Sequence, residues 1–268
     1  MSDSSAISRF YEAAYSQDAA SAERYSRWRA LGAVGKADHV IRLCTRAGLQ
    51  PTSTLEVGCG DGALLSELHR RSFGGRLSGV EISESAVAIA RERKEIESVR
   101  VYDGVKLDAP DGSYDLGVLS HVLEHVEDPA ALLGEVARAC RAVLVEVPLE
   151  ANLSARRPSK RAHAAEVGHL QRLDRKATRA IVASAGLVIL HELEDPLPLS
   201  VHRFFKVSSL ARSAAVLKGS SRMLLHRLAP AVARRSFTVH YACLACPGAP
   251  ARPRSRRLLS RRAGERTA

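Results

Sequence analysis

The sequence is poor in aromatics, in regularly spaced cysteines and in long apolar runs, and each shortage removes a class of protein. Aromatic residues make up 4% of the chain, too few for the stacking platforms on which single-stranded nucleic acids rest. No run approaches the ~20 consecutive apolar residues that cross a bilayer, and the stretch from Met1 to Phe10 lacks the basic-then-apolar order of an export signal. The five cysteines are odd in number and have no framework spacing. That excludes a disulfide scaffold and suits a reducing compartment, so a cytoplasmic location is expected. Cys243 and Cys246 form a lone C-x-x-C. Without a second pair or a neighbouring histidine cluster, zinc and redox uses are set aside. There is no internal repeat.

What is present is one domain's worth of chain, 268 residues with a formal net charge of +11. The charge is unevenly placed. Residues 247–268 hold seven arginines and one glutamate, a net +6 that leaves +5 for the rest, and with three prolines and little apolar content they are expected to form a disordered basic tail. Residues 1–34, with Phe10, Tyr11, Tyr15, Tyr25 and Trp28, are expected to form an N-terminal helical cap, and residues 35–246 the main domain.

Within that domain, apolar strands alternate with helical periodicity from residue 52 to about 193, the pattern of an α/β doubly wound, mostly parallel sheet covered on both faces. Strands are expected near 53–57, 77–82, 99–102, 114–119, 142–147 and 187–193, with a seventh over 236–245. Ser83, Asp128 with Pro129 after it, and Asp174 are N-cap signals, and Gly186 is a stop. Residues 196–235 form an insertion before the last strand, with apolar residues at Leu210, Ala214, Leu217, Leu224, Leu225 and Leu228. That stripe is expected to pack as a helical cap on the domain, with a membrane-surface helix as the alternative.

The informative segment is Leu55-Glu56-Val57-Gly58-Cys59-Gly60-Asp61-Gly62, a glycine-punctuated turn after the first strand, with Glu81 closing the second. Glycine turns alone serve many ligands. Here the charges discriminate: a phosphate site presents bare N–H groups and often Lys, and Glu56 and Asp61 would oppose an anion. A sulfonium donor, with an ammonium and a cationic sulfur, tolerates them. Two further segments stand in order behind the turn. One is Val80-Glu81-Ile82-Ser83; the other is Ser113-Tyr114-Asp115-Leu116 together with Leu119-Ser120-His121-Val122-Leu123-Glu124-His125-Val126.

Together these resemble the class I S-adenosylmethionine-dependent methyltransferases, particularly the small-molecule group related to quinone-biosynthesis enzymes, over roughly residues 35–195. The resemblance implies a seven-stranded sheet of order 3-2-1-4-5-7-6 with the last strand antiparallel. It implies cofactor contacts from Glu56, Gly58, Gly60, Glu81, Asp103, Ser120 and His121. Gly58 and Gly60 would admit the cofactor to the backbone, Glu81 would accept from both ribose hydroxyls, and Asp103 from the adenine amino group. Downstream of Asp103 the chain departs from the family pattern, with Leu107-Asp108-Ala109-Pro110 in place of the usual Leu-Pro-Phe.

Methyl transfer to a hydroxyl or amine calls for a base near neutral pKa, and His121, His125 and His169 are the candidates. His169 stands near the end of a basic loop over residues 148–171 that carries Arg156, Arg157, Lys160, Arg161 and His163, cations suited to an anionic or sugar-containing acceptor. The letters H-x-x-E-H from His121 to His125 also match a zinc-binding helix, but they leave barely one turn before the Asp128 cap, so no metal is expected. The reading is an enzyme methylating oxygen or nitrogen of a small molecule. Methylation of RNA or protein with help from the tail, and a non-catalytic cofactor-binding partner protein, stay open. No Asn/Asp-Pro-Pro-Tyr/Phe segment stands after the fourth strand, which weakens the nucleic-acid alternative.

Overall fold

A computed structural model of the chain describes Glu12, Tyr15 and residues 19–248; Phe10, Tyr11 and nearly all of the arginine tail lie outside the described residues. Seven strands form one sheet in the order 3-2-1-4-5-7-6. Strands β1 (Ser53–Val57), β2 (Arg76–Glu81), β3 (Ser98–Val101), β4 (Tyr114–Ser120) and β5 (Cys140–Pro148) pair in parallel. Strand β7 (His240–Pro247) runs antiparallel between β5 and β6 (Leu187–Asp195). The doubly wound sheet and its reversed last strand are those expected from the motifs.

Local chemistry sets the helices. Helix α1 spans Ala19–Arg46, unbroken across residues 34 and 35, and buries Ala33, Ala37, Val40, Leu43 and Cys44 at helical spacing. Helix α2 (Ala63–Arg70) buries Leu64, Leu65 and Leu68. Helix α3 (Glu84–Arg91) starts at Ser83, whose hydroxyl accepts from the Ala86 N–H at 3.1 Å. These three helices cover one face of the sheet. On the other lie α4 (Pro129–Ala139), capped by Asp128 with Pro129 in the first turn, and α6 (Arg175–Ser184), capped by Asp174. Strand alternation sorts the two cores: in β5, Ala142 and Leu144 join the α1 side while Val143, Val145 and Val147 join the α4 side.

Three expectations need correction. The stretch 148–171 is not all loop: a 3-10 turn at Ser154–Arg156 leads into helix α5 (Pro158–Glu166), opened by Pro158. That helix buries no residue, so it carries no apolar stripe to read. The insertion is three helices, α7 (Leu199–Phe204), α8 (Ser209–Leu228) and α9 (Pro230–Ser236), and because α9 runs through Ser236, β7 starts at His240 rather than at 236. The leucine stripe of α8 does not face the domain either, apart from Leu225, which packs against Ala233, Phe237 and Val239. Leu210 is 81% and Leu217 74% exposed, and the helix packs instead through Ala215 and Gly219. A Cβ at Gly219 would collide with Leu199, so the small residue is what lets α7 and α8 approach.

Candidate active site

Along the carboxyl edge of the sheet, the row of side chains facing α1 turns from apolar to polar. Leu116 and Val118 give way to Ser120 in β4, and Ala142 and Leu144 to Glu146 in β5; in antiparallel β7, Leu244 and Ala242 lead to His240. Thr54 and Glu56 continue the row in β1. A cavity of about 1130 Å³ opens over this edge. Glu56, Gly58, Gly60, Glu81, Asp103, Ser120, His121, His125 and His169 all line it, so the residues expected to contact the donor and the candidate bases are brought to one place. It lies where open α/β sheets bind ligands, at the switch between β1 and β4.

The β1–β2 end is a nest of carboxylates braced by backbone. Gly58 and Gly60 have φ of 74° and 53°, left-handed values that favour glycine. The groups that press on them are protein: a Cβ at Gly58 would meet Val122 Cγ2 at 2.7 Å, and one at Gly60 would meet the Tyr15 hydroxyl. Glu81 is buried and accepts from the N–H groups of Gly60 at 2.9 Å, Ile82 at 2.7 Å and Ser83 at 3.3 Å. Three of the carboxylate's roughly four acceptor sites are thus filled. Burial raises its pKa, opposed by those three donors. Glu56 is also buried, and its Oε2 has no hydrogen-bond partner. Burial pushes this carboxyl up to about 8, with Lys36 pulling the other way and Asp61, Glu81 and Glu146 adding to the rise. Asp61 is held by Arg29 at 2.7 Å, and that guanidinium lies 4.6 Å from the centre of the Tyr15 ring. Asp103 is exposed at the cavity rim; one oxygen accepts from the Val105 and Lys106 N–H groups, both at 2.8 Å, and those bonds lower its pKa.

The β4–β5–β7 end is rich in histidine. His121 has φ of 61°, unusual for a residue with a side chain, and its N–H donates to the Glu146 carbonyl at 2.9 Å. Its Nδ1 lies 3.1 Å from Glu124, while His125 Nδ1 lies 3.1 Å from the Gly168 carbonyl. The two histidines of H-x-x-E-H therefore diverge. A 3-10 turn, Leu123–His125, stands where a zinc helix would need to be. Burial lowers the pKa of both imidazoles despite Glu124 nearby. The ring of His125 packs edge-on against His169, 4.7 Å between centres. His169 Nδ1 bonds Glu150 Oε2 at 2.7 Å, and that carboxylate overcomes burial to raise the His169 pKa.

Reading the sequence missed Lys36, His39, Glu146, Glu150 and His240, all on the cavity wall. Two of them left a signal. Glu146 is the lone charge in the apolar run 142–148 of β5, and His39 sits on the apolar stripe of α1, 3% exposed. Of the basic residues of 148–171, Lys160 and His163 line the cavity, whereas Arg156, Arg157 and Arg161 are not among its described lining residues. The C-x-x-C cysteines stand three apart on β7 and so point to opposite faces of the sheet.

Residues 25–192 match the family described as "Methyltransferase domain". The chain belongs to that family. The resemblance to class I S-adenosylmethionine-dependent methyltransferases is thereby borne out at the level of family and fold. Among curated proteins, the chain is 35% identical over 100 residues to a ubiquinone biosynthesis O-methyltransferase of Thiobacillus denitrificans, covering 35% of this chain and 42% of that one. It is 34% identical over 101 residues to the protein of the same name from Pseudomonas paraeruginosa, covering 35% and 40%. The match thus spans about two fifths of the length of these relatives. Among solved structures, a geranyl diphosphate methyltransferase in complex with SAM superimposes with a TM-score of 0.58 at 17% identity, over 80% of this chain and 85% of that one. Phosphoethanolamine N-methyltransferase 2 of Haemonchus contortus, bound to S-adenosyl-L-methionine, gives 0.55 at 15%, over 78% and 52%. At these identities the likeness concerns the fold. No helix of the described residues is long and apolar enough to cross a membrane.

Proposed function

We propose that the protein transfers the methyl group of S-adenosylmethionine to an oxygen or nitrogen of a small molecule held in the cavity over β4, β5 and β7. The observation that carries the donor half of this reading is Glu56: a buried carboxyl with an unpartnered oxygen on the wall of a cavity rich in acids fits a cation. Glu56 would hold the donor's ammonium, Glu81 a ribose hydroxyl, and Asp103 the adenine amino group through the oxygen not used in its turn. Glu81 has about one acceptor site left over from its backbone donors, so engaging both hydroxyls at once requires the Gly60 N–H to let go. When bound, the donor supplies an electrophilic methyl on sulfur, open to in-line displacement.

The acceptor's proton falls to His169. Glu150 fixes its Nδ1 and leaves Nε2 as the basic atom, the arrangement that orients a general base. His125, its pKa lowered, stays neutral beside it and keeps a second positive charge from building up there. Lys160 and His163 would meet an anionic or hydroxyl-rich part of the acceptor. Calorimetric titration with S-adenosylmethionine, and then an acceptor screen read as S-adenosylhomocysteine release, tests the reading. Micromolar binding with turnover supports it, binding without turnover points to a non-catalytic partner protein, and absence of binding overturns it.

A further inference from the structure

We propose that His121, Glu146 and His240 form a site for one borderline divalent cation, with Zn²⁺ the best match and His39 supporting the Glu146 carboxylate from outside the ligand set. The four side chains come from α1, the tip of β4, β5 and the start of β7, and converge on the cavity wall. Around Glu146 Oε1 stand His39 Nδ1 at 3.3 Å, His240 Nδ1 at 3.3 Å and His121 Nε2 at 3.8 Å. One ligand atom from each of His121, Glu146 and His240 lies within 4.8 Å of the others, and ligands at ~2.0–2.1 Å from a tetrahedral Zn²⁺ are separated by ~3.3–3.4 Å, so closing on an ion takes side-chain adjustment and no movement of the strands. The rings of His121 and His240 meet edge-on with centres 4.7 Å apart, both directed at the same carboxylate.

A second, independent observation is the lack of hydrogen bonds where they are most needed. Glu146 is fully buried and His39 is 3% exposed, yet Glu146 Oε1, His39 Nδ1 and His121 Nε2 are buried atoms without a hydrogen-bond partner. Native interiors rarely leave such atoms unsatisfied, and coordination of an ion is one of the standing explanations. The ligands have outer partners, as metal ligands usually do: Glu124 lies 3.1 Å from His121 Nδ1, and His39 stands 3.3 Å from Glu146 Oε1 with Asp195 3.2 Å from its other nitrogen. Three carboxylates in and around the cluster favour a cation, and a nitrogen-rich donor set selects Zn²⁺ or a neighbouring transition metal over Mg²⁺ or Ca²⁺. The adjacent group of Glu124, His125 and His169 contains the proposed base, whose Nε2 has to stay open to the acceptor's proton.

Occupancy of the site does not depend on the methyl-transfer reading; its use does. An ion here would contact an acceptor hydroxyl and ease its ionisation, leaving His169 to carry the proton away. Histidine tags would obscure the result, so the experiment uses the untagged full-length chain, stripped with a chelator and titrated with Co²⁺ as a spectroscopic stand-in for Zn²⁺. We expect about one equivalent bound, with the intense visible bands of a four-coordinate ion. His240→Ala and Glu146→Gln should each weaken binding at least ~100-fold, and His39→Ala, which removes the outer partner of Glu146, roughly 10- to 100-fold. Cys246→Ser and His125→Ala should leave the spectrum unchanged. His240 is partly exposed, so its variant, checked by circular dichroism, keeps the test intact where Glu146→Gln fails to fold. Absence of stoichiometric Co²⁺ binding, or binding that survives both His240→Ala and Glu146→Gln, would overturn the proposal.

Discussion

The two ends of the cavity are built on different plans. At the β1–β2 end, the side chains come from two strand tips about twenty residues apart and are locked by backbone: Glu81 alone takes three N–H groups. At the β4–β5–β7 end, the side chains come from residues as distant as His39 and His240 and are held mainly by one another. A site that holds an invariant donor can be fixed by the fold. A site for the acceptor is assembled from side chains and can be exchanged without disturbing the sheet. In the proposed function the first end would hold the donor and the second the acceptor.

The largest effect should fall on the acceptor end. His169→Ala is expected to lower kcat by about 10²–10⁴-fold with donor affinity retained. Because Glu150 raises the His169 pKa, and the base works only when neutral, the rate should climb with pH through a value above the ordinary imidazole range. Glu150→Gln should move that limb of the pH profile down. A profile that does not move would remove His169 from the mechanism.

At the donor end, Glu81→Ala removes the ribose acceptor and the brace on Gly60, and should weaken donor binding about 100-fold, corresponding to roughly 3 kcal/mol. Calorimetry with S-adenosylhomocysteine reads this without turnover. Glu56→Gln should cost about tenfold in affinity and also change the pH response. The free protein holds Glu56 protonated up to about pH 8, and a cation favours its ionised form, so wild-type donor affinity should strengthen as pH rises toward 8 and then level off. Stability runs the other way. Between the ordinary 4.5 and about 8 the folded chain keeps a proton that the unfolded chain has lost, so stability contributed by this group falls as pH rises through that window. Glu56→Gln should flatten both slopes.

The smallest effect should come from the cationic rim. Lys160→Ala is expected to raise the acceptor KM a few-fold, about 1 kcal/mol or less for an exposed pair, with kcat and donor affinity unchanged and the effect fading in high salt. The Arg156→Ala/Arg157→Ala pair sharpens the contrast, since neither residue is among those lining the cavity and little change in KM is expected.

Legibility in the sequence divides along the same line. The caps at Ser83, Asp128 and Asp174 and the acids at Glu56 and Glu81 were readable because each is encoded within a few neighbouring residues, a cap beside its helix and a turn beside its strand, whereas the sheet order followed from the resemblance. Glu150 and His240 were not readable, because their significance is a distance across the fold and no local pattern records it; His39 left only its place on an apolar stripe, which does not say what it meets. The α8 stripe failed for a related reason. Periodicity shows that leucines share a face, but Gly219 and Ala215 decide which face is turned inward. Helix α5 escaped notice because a helix that buries nothing has no stripe at all.

The central claim is that carboxylates at neighbouring strand tips hold a positively charged adenosyl donor. Titration of S-adenosylmethionine into the wild type and Glu56→Gln, in two buffers of different ionisation enthalpy near pH 7, tests it most directly. The expected result is tight binding by the wild type with release of up to one proton, and weaker binding by the variant with that release gone. Equal affinity and equal proton release in the two proteins would contradict the account.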